Sequence, residues 1–181
     1  MFLPIILILL SCHSCKGLLH PVNSGNIGVD DLYQMIQQQN KTIQQLLERD
    51  TKTVGFFARL TQRTPHLGVG QPIKFDTVIT NEGNGYDPKQ SRFIAPFTGL
   101  YQLSASVMSP TNAYVHCAIV KNGADVSPLY GATTDYDSDT QTIVLDLQAG
   151  DMVWVKHTGT TNEIIHNYNS YFSGFLIKQR L

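Results

Sequence analysis

The sequence predicts an all-β antiparallel sandwich preceded by one short helix. Three observations predict it. From residue 54 onward, apolar residues recur with a period of two. Turn signals such as Asn122-Gly123 and Gly150-Asp151 separate these runs, and no helical stretch interrupts them. Ahead of them, residues 29–50 lack Pro and Gly and carry apolar residues at a three-four spacing.

Each strand has its own signal. In Gly99–Val107, Tyr101, Leu103, Ala105 and Val107 alternate with Gln102, Ser104 and Ser106, giving one buried face and one wet face. In 142–148, Ile143, Leu145 and Leu147 alternate with Thr142, Asp146 and Gln148, and Val144 breaks the polar side. Gly150-Asp151 turns the chain into Met152–Lys156, and Asn122-Gly123 closes Tyr114–Lys121. The last run, Tyr171–Lys178, is almost wholly apolar, so it is expected to be covered on both faces.

The helix predicted over 29–50 places Val29, Leu32, Ile36, Ile43 and Leu46 at a and d positions of about three heptads, with Gln39 completing the series. Asp30 and Asp31 suit its positive end. Gln39 at a d position blurs any preference for strand number, so the heptads predict association without a stoichiometry. An amphipathic helix packed on its own domain is the plainer alternative. Asn40-Lys41-Thr42 is an N-glycosylation sequon, with Asn40 beside the seam.

Composition sets the outer bounds. The chain has 181 residues, 42% of them hydrophobic and 15% charged, which fits one domain with an added segment. With 13 basic and 14 acidic residues the formal charge is −1. That balance excludes a broad basic face for nucleic acid and a polyacidic tail. Three cysteines exclude a disulfide-rich miniprotein, and fourteen glycines without a three-residue period exclude a collagen stalk.

The amino terminus reads as a secretory signal over residues 1–17. Phe2–Leu10 is an apolar core too short for a membrane span, followed by small residues, although no Lys or Arg precedes it. An extracellular location follows, with no membrane span. Cys12-x-x-Cys15 falls in the cleavage region rather than in a βαβ unit, so it does not read as a redox site. Cys117, on an apolar strand, reads as a small buried hydrophobe, or as a partner of Cys15 if that residue survives cleavage.

Residues 75–105 read FDTVITNEGNGYDPKQSRFIAPFTGLYQLSA. This run closely resembles the signature of the complement C1q globular head domain, with Phe75, Asn81, Tyr86, Phe93, Gly99 and Tyr101 at the family's spacing. Leu103 and Ala105 stand where aromatic residues are usual. Ser170–Ile177 resembles the family's closing strand and Val54–Leu60 its first, so the resemblance covers about residues 54–178, and the head is taken as 54–181. It implies a ten-stranded antiparallel jelly roll, shared with the tumour necrosis factor superfamily, and a homotrimer. A short coiled coil in place of collagen is similar to secreted C1q-domain proteins that act as pattern-recognition lectins, and less closely to cerebellin-type synaptic organisers.

Physics asks mostly structural work of the signature. Phe75, Phe93, Tyr101, Phe172 and Phe175 are expected in the core. Gly99 and Gly174 are expected at turns or close approaches, and Asn81 with Gly83-Asn84-Gly85 in a tight loop.

Ligand groups are expected in loops. Asp135, Asp137 and Asp139 stand at alternate positions and offer hard oxygen ligands for calcium, against the plainer reading of a solvated acidic turn. The resemblance matches Asp137 best to an acid of calcium-binding relatives. No other cofactor is implied. For sugars, aromatic faces and amides are the useful groups: Asn112, Tyr114, Tyr130, Tyr136, His157, and above all Asn162, His166, Asn167, Tyr168 and Asn169 in the segment 158–169. No nucleophile elbow, zinc-binding helix motif or phosphate loop occurs, so an enzyme is not expected. The partners expected are further copies of the chain and either glycans on microbial surfaces, which means innate pattern recognition, or a cell-surface protein receptor.

Overall fold

The computed structural model describes residues 28–50, 53–64, 66–132, 135–160 and 163–180, with the backbone alone for 48–50. The expected signal segment 1–17, both of its cysteines and Asn162 lie outside the described residues. The chain divides between Arg49 and Asp50 into two units.

In the first unit, helix α1 spans Val29–Asp50. Asp31 Oδ2 accepts the Gly28 N–H at 3.2 Å, and the Gly28 carbonyl accepts from Leu32 N–H at 3.1 Å. The start is thus capped by a side chain reaching back from the first turn. Leu32, Ile36, Ile43 and Leu46 are all exposed on the single chain. Asn40 is exposed too, and the Thr42 hydroxyl donates to the Gln38 carbonyl at 3.0 Å.

The second unit holds, among the described residues, two five-stranded antiparallel sheets. One runs β2 (Thr77–Glu82), β1 (Gly55–Arg59), β10 (His166–Gln179), β5 (Gly99–Met108), β8 (Ser138–Leu147). The other runs β3 (Tyr86–Asp87), β4 (Arg92–Ile94), β9 (Met152–His157), β6 (Val115–Lys121), β7 (Ala124–Gly131). This is the jelly-roll sandwich. β1 with β2, β3 with β4 and β6 with β7 pair as consecutive strands, while the other neighbours are distant in sequence because the remaining connections cross between the sheets.

The inward residues of both sheets meet in one apolar core. Phe56 on β1 stacks on Tyr86 and Phe93 of the opposite sheet, with centroids 5.0 and 4.9 Å away, and meets Phe172 edge-on at 4.9 Å. Phe75, Phe93, Tyr101 and Phe172 are fully buried. Phe175 is not: it is 48% exposed, and Ile177 beside it is 47% exposed. The alternation of β10 sends Phe172 and Gly174 inward and Phe175 outward, so the run expected to be covered twice is covered once within a single chain.

The signature glycines act by close approach. A Cβ at Gly174 would lie 2.8 Å from Leu103 Cδ2 and 2.9 Å from the Gln102 carbonyl. One at Gly99 would lie 2.5 Å from the Lys178 carbonyl. The tight loop after β2 is held by Asn81, whose Oδ1 accepts the Tyr86 N–H at 3.0 Å while its Nδ2 donates to the Tyr86 carbonyl at 2.9 Å. Gly83 and Asn84 take positive φ there (73° and 53°).

The topology decides where loops gather. His166 pairs with Met108, and Met108 with Ser138; in the other sheet Val115 pairs with Gly131 and Cys117 with His157. The connections 109–114, 132–137 and 158–165 therefore leave the sandwich at one end.

Phe172 joins Phe56, Phe75 and Tyr86 across the sandwich. Phe172→Ala should cost about 3–5 kcal/mol, read as a lower midpoint in urea with an unchanged slope.

Candidate functional site

Two clusters of aromatic rings lie at that end, with Tyr114 and Tyr136 on loops and His116, Tyr130, His166 and Tyr168 on the adjoining ends of β6, β7 and β10. The first surrounds an open groove of about 460 Å³ lined by Tyr114, His116, Tyr130, Thr158, Gly159 and Thr160. The His116 ring packs against Tyr130 at 4.7 Å and edge-on to Tyr114 at 5.3 Å. Tyr114 and Tyr130 are exposed.

Beneath this groove lies a buried carboxylate. Glu163 sits at an isolated bridge to Leu67, and its own side chain is 5% exposed. Its Oε2 accepts from the His116 backbone N–H at 2.7 Å and from His157 Nε2 at 2.9 Å. Its Oε1 accepts from His116 Nδ1 at 3.0 Å, Thr160 N–H at 3.0 Å and the Thr160 hydroxyl at 3.4 Å. A buried charge needs such partners, since removing one from water costs several kcal/mol, on the order of the best ion pairing.

His157 is fully buried beside Glu163. Its Nδ1 lies 3.0 Å from the Gly68 carbonyl and its Nε2 lies 2.9 Å from Glu163 Oε2, so the ring is held between the two. The sequence places His157 among exposed sugar-binding groups; the structure corrects this, because His157 continues the inward period of Val153 and Val155.

Burial by itself would raise the Glu163 pKa. The hydrogen bonds from the His116 N–H and ring, the His157 ring and the Thr160 N–H outweigh it and hold the group below the ordinary glutamate range. Cys117 stands opposite His157 on β6 and is buried; burial pushes its thiol pKa up, and the Glu163 charge adds to the rise. It is an inert core thiol, as the sequence indicates.

The second cluster holds Tyr136, His166 and Tyr168. The Tyr136 ring meets His166 edge-on at 5.3 Å, and Tyr168 lies 6.2 Å from His166. The cause is a bulge in β10: residues 167–170 stand opposite the single residue Val107, which pushes Tyr168 outward to 72% exposure. Asn169, exposed, takes a positive φ of 55°. Asn167 is turned to the scaffold, where its Nδ2 donates to the Thr61 carbonyl at 3.2 Å.

The acidic loop is tied to the backbone. Asp137 Oδ2 accepts the Ala132 N–H at 2.7 Å, and Asp139 Oδ2 accepts the Tyr130 N–H at 2.9 Å, while Asp135 is exposed. These bonds terminate β7 and start β8. Among the described residues no three His, Cys, Asp or Glu side chains form a group able to hold a metal ion.

Sequence reading missed Glu163 and His116. A signal was present: His157 ends an inward-facing alternation, and a buried histidine calls for an acid, which the segment 158–169 supplies once, at Glu163.

A model of the C1q domain matches residues 55–177. The chain belongs to the C1q-domain family. Mouse complement C1q tumor necrosis factor-related protein 3 is 33% identical over 127 residues, which is 68% of this chain and 51% of that protein. The human form of the same protein is 32% identical over 127 residues, again covering 68% and 51%. One subunit of the human complement C1q subcomponent is 31% identical over 133 residues, covering 70% and 51% respectively. The chain thus spans about half the length of these relatives. Among solved structures, the globular domain of zebrafish complement 1qA superposes with a TM-score of 0.59 at 20% identity, covering 70% of this chain and 99% of that one. Murine APRIL at pH 5.0 gives 0.56 at 13% identity, covering 70% and 100%. These two likenesses concern the fold.

Glu163→Gln puts an amide N–H against one of the N–H donors and removes the buried carboxylate on which the His116, His157 and Thr160 donors converge. It should destabilise the head by about 3–5 kcal/mol. The pH dependence has a definite sign. The folded pKa of Glu163 is lowered, so its stabilisation is complete above the unfolded value of about 4.3 and is lost as pH falls through the folded one. The stability gap between wild type and Glu163→Gln should therefore shrink on acidification, measured by urea melts from pH 7 to pH 3.

Proposed function

We propose that this chain is a secreted, homotrimeric recognition protein that binds glycans, including those of microbial surfaces, through the loop end of its C1q head. The observation that carries the reading is the gathering there of Tyr114, Tyr130, Tyr136 and Tyr168, all exposed, with His116 and His166 in ring contact with them. Exposed aromatic faces suit the apolar faces of sugar rings, and neighbouring polar groups suit the hydroxyls. The relatives' names place them with complement C1q, which agrees with an innate-immune role. Recognition rather than catalysis is the role of the head.

Self-association is supported by two apolar surfaces. On the outer face of the β1–β10–β5–β8 sheet, Phe57, Val144, Phe175 and Ile177 are exposed, and Phe175 and Val144 share one cross-strand row through Gln102. The seam of α1 is the second. A patch of this kind on a monomer calls for a partner, and further copies of the chain are the partner this reading gives to both surfaces. Three weak sites on one trimer gain avidity on a repetitive surface. Among the described residues no helix is long and apolar enough to cross a membrane, which suits the secreted form that the amino terminus suggests. Asn40, exposed on α1, is the acceptor for an N-linked glycan.

Two measurements test this. The Phe175→Asp, Val144→Asp variant should sediment with a lower mass than the wild type, which should run as a trimer. On an array of microbial polysaccharides, with calcium and with chelator, the wild type should show saturable binding that free sugar competes away. Tyr168→Ala with Asn169→Ala should weaken it, and a chelator-sensitive signal would bring the Asp135–Asp139 loop into the site. A folded trimer that ignores every glycan would instead favour a protein receptor as partner, in the manner of a synaptic or adhesion ligand.

A further inference from the structure

Resting on that reading, we propose that the groove over Glu163 is a subsite for one neutral pyranose ring, and that Glu163 is the residue that positions its walls. The groove volume, about 460 Å³, lies within the roughly 300–1,000 Å³ of small-molecule clefts. Its lining supplies two exposed tyrosine rings, the hydroxyls of Thr158 and Thr160, and the imidazole of His116.

The choice of a neutral sugar follows from charge. The lining holds no lysine, arginine or aspartate. The nearby carboxylate is occupied: Glu163 already accepts from His116 N–H, His116 Nδ1, His157 Nε2 and both Thr160 groups. No lysine or arginine lines the groove to neutralise a carboxylate, sulfate or phosphate on a ligand, and desolvating such a charge without a counter-charge is costly. Hydroxyls need only neutral donors and acceptors, which the lining has.

Glu163 sets the geometry of that lining. Its Oε1 holds His116 Nδ1 as the donor, so Nε2 is the nitrogen left for a ligand, and among the described residues Nε2 has no hydrogen-bond partner. The same oxygen holds the Thr160 N–H, which fixes the loop forming the opposite wall. Gly159 lets that loop close, because any Cβ there would collide with the Glu163 carboxylate. The cluster thus ties β6, β9 and residues 158–160 into one wall set.

The test uses the full mature chain. Methyl α-mannopyranoside, methyl β-galactopyranoside and N-acetylglucosamine are titrated by saturation-transfer NMR, alongside N-acetylneuraminic and glucuronic acids. At least one neutral sugar should bind, and the acids should bind more weakly. Tyr130→Ala should weaken the neutral sugar at least about fivefold with an unchanged melting curve. The positioning role has its own readout. Ring-nitrogen shifts of His116 should report a single Nδ1–H tautomer in the wild type and a mixture in Glu163→Gln. A wild type with the proton on Nε2 overturns the positioning role, whether or not that variant folds. Binding that survives Tyr130→Ala, or a preference for the acids, overturns the subsite while leaving glycan recognition intact. A wild type that binds neither these sugars nor any glycan on the array overturns the parent reading.

Discussion

The two sheets are held face to face by a stack of aromatic rings, and everything else in the head is placed by that contact. Phe56 lies between Tyr86 and Phe93 of one sheet and Phe172 of its own, with ring centroids about 5 Å apart. Such pairs add roughly 0.5–1.5 kcal/mol each beyond their burial. They leave no room for side chains at Gly85 and Gly174, whose Cβ atoms would strike Phe93 and Phe56. The closeness of the sheets explains why the connections between them are short and why three of them emerge together at one end.

At that end the controlling cost is electrostatic. A carboxylate at 5% exposure survives because donors converge on each of its oxygens. The arrangement recruits backbone and side chains from β6, β9 and the loop after β9. Thr160 is thereby tied to Glu163 through its backbone N–H. The Tyr136–His166–Tyr168 cluster is placed differently, by a bulge that the ladder between β10 and β5 forces outward. One surface end thus combines a groove with a buried charged floor and an exposed aromatic ridge.

Much of the head was legible along the chain because a strand with one buried face writes its period directly. Tyr101, Leu103, Ala105 and Val107 are all fully buried, as their alternation indicates. Asn81 and Gly83-Asn84 form the loop that their turn chemistry asks for. Phe175 was misplaced for a reason of the same kind: hydrophobicity says that a residue wants cover, and not whether its own chain or another supplies it. His157 was misplaced because a histidine at a strand end reads as a loop residue until its inward register is counted. The three aspartates looked like a ligand set at alternate positions, yet two of them close backbone hydrogen bonds where β7 ends and β8 begins.

By itself the sequence determined the sandwich, its principal strands and their inward residues, since period, turn residues and side-chain size act locally. The family was legible for the same reason, because its signature residues are those the local packing demands. Only the tertiary structure decided which polar groups meet. His116 lies 47 positions from Glu163, and nothing local couples the two. Their meeting depends on β6 and β9 being neighbours in one sheet, with the following loop folding back beneath Tyr114 and Tyr130, and that is set by the closure of the whole sandwich.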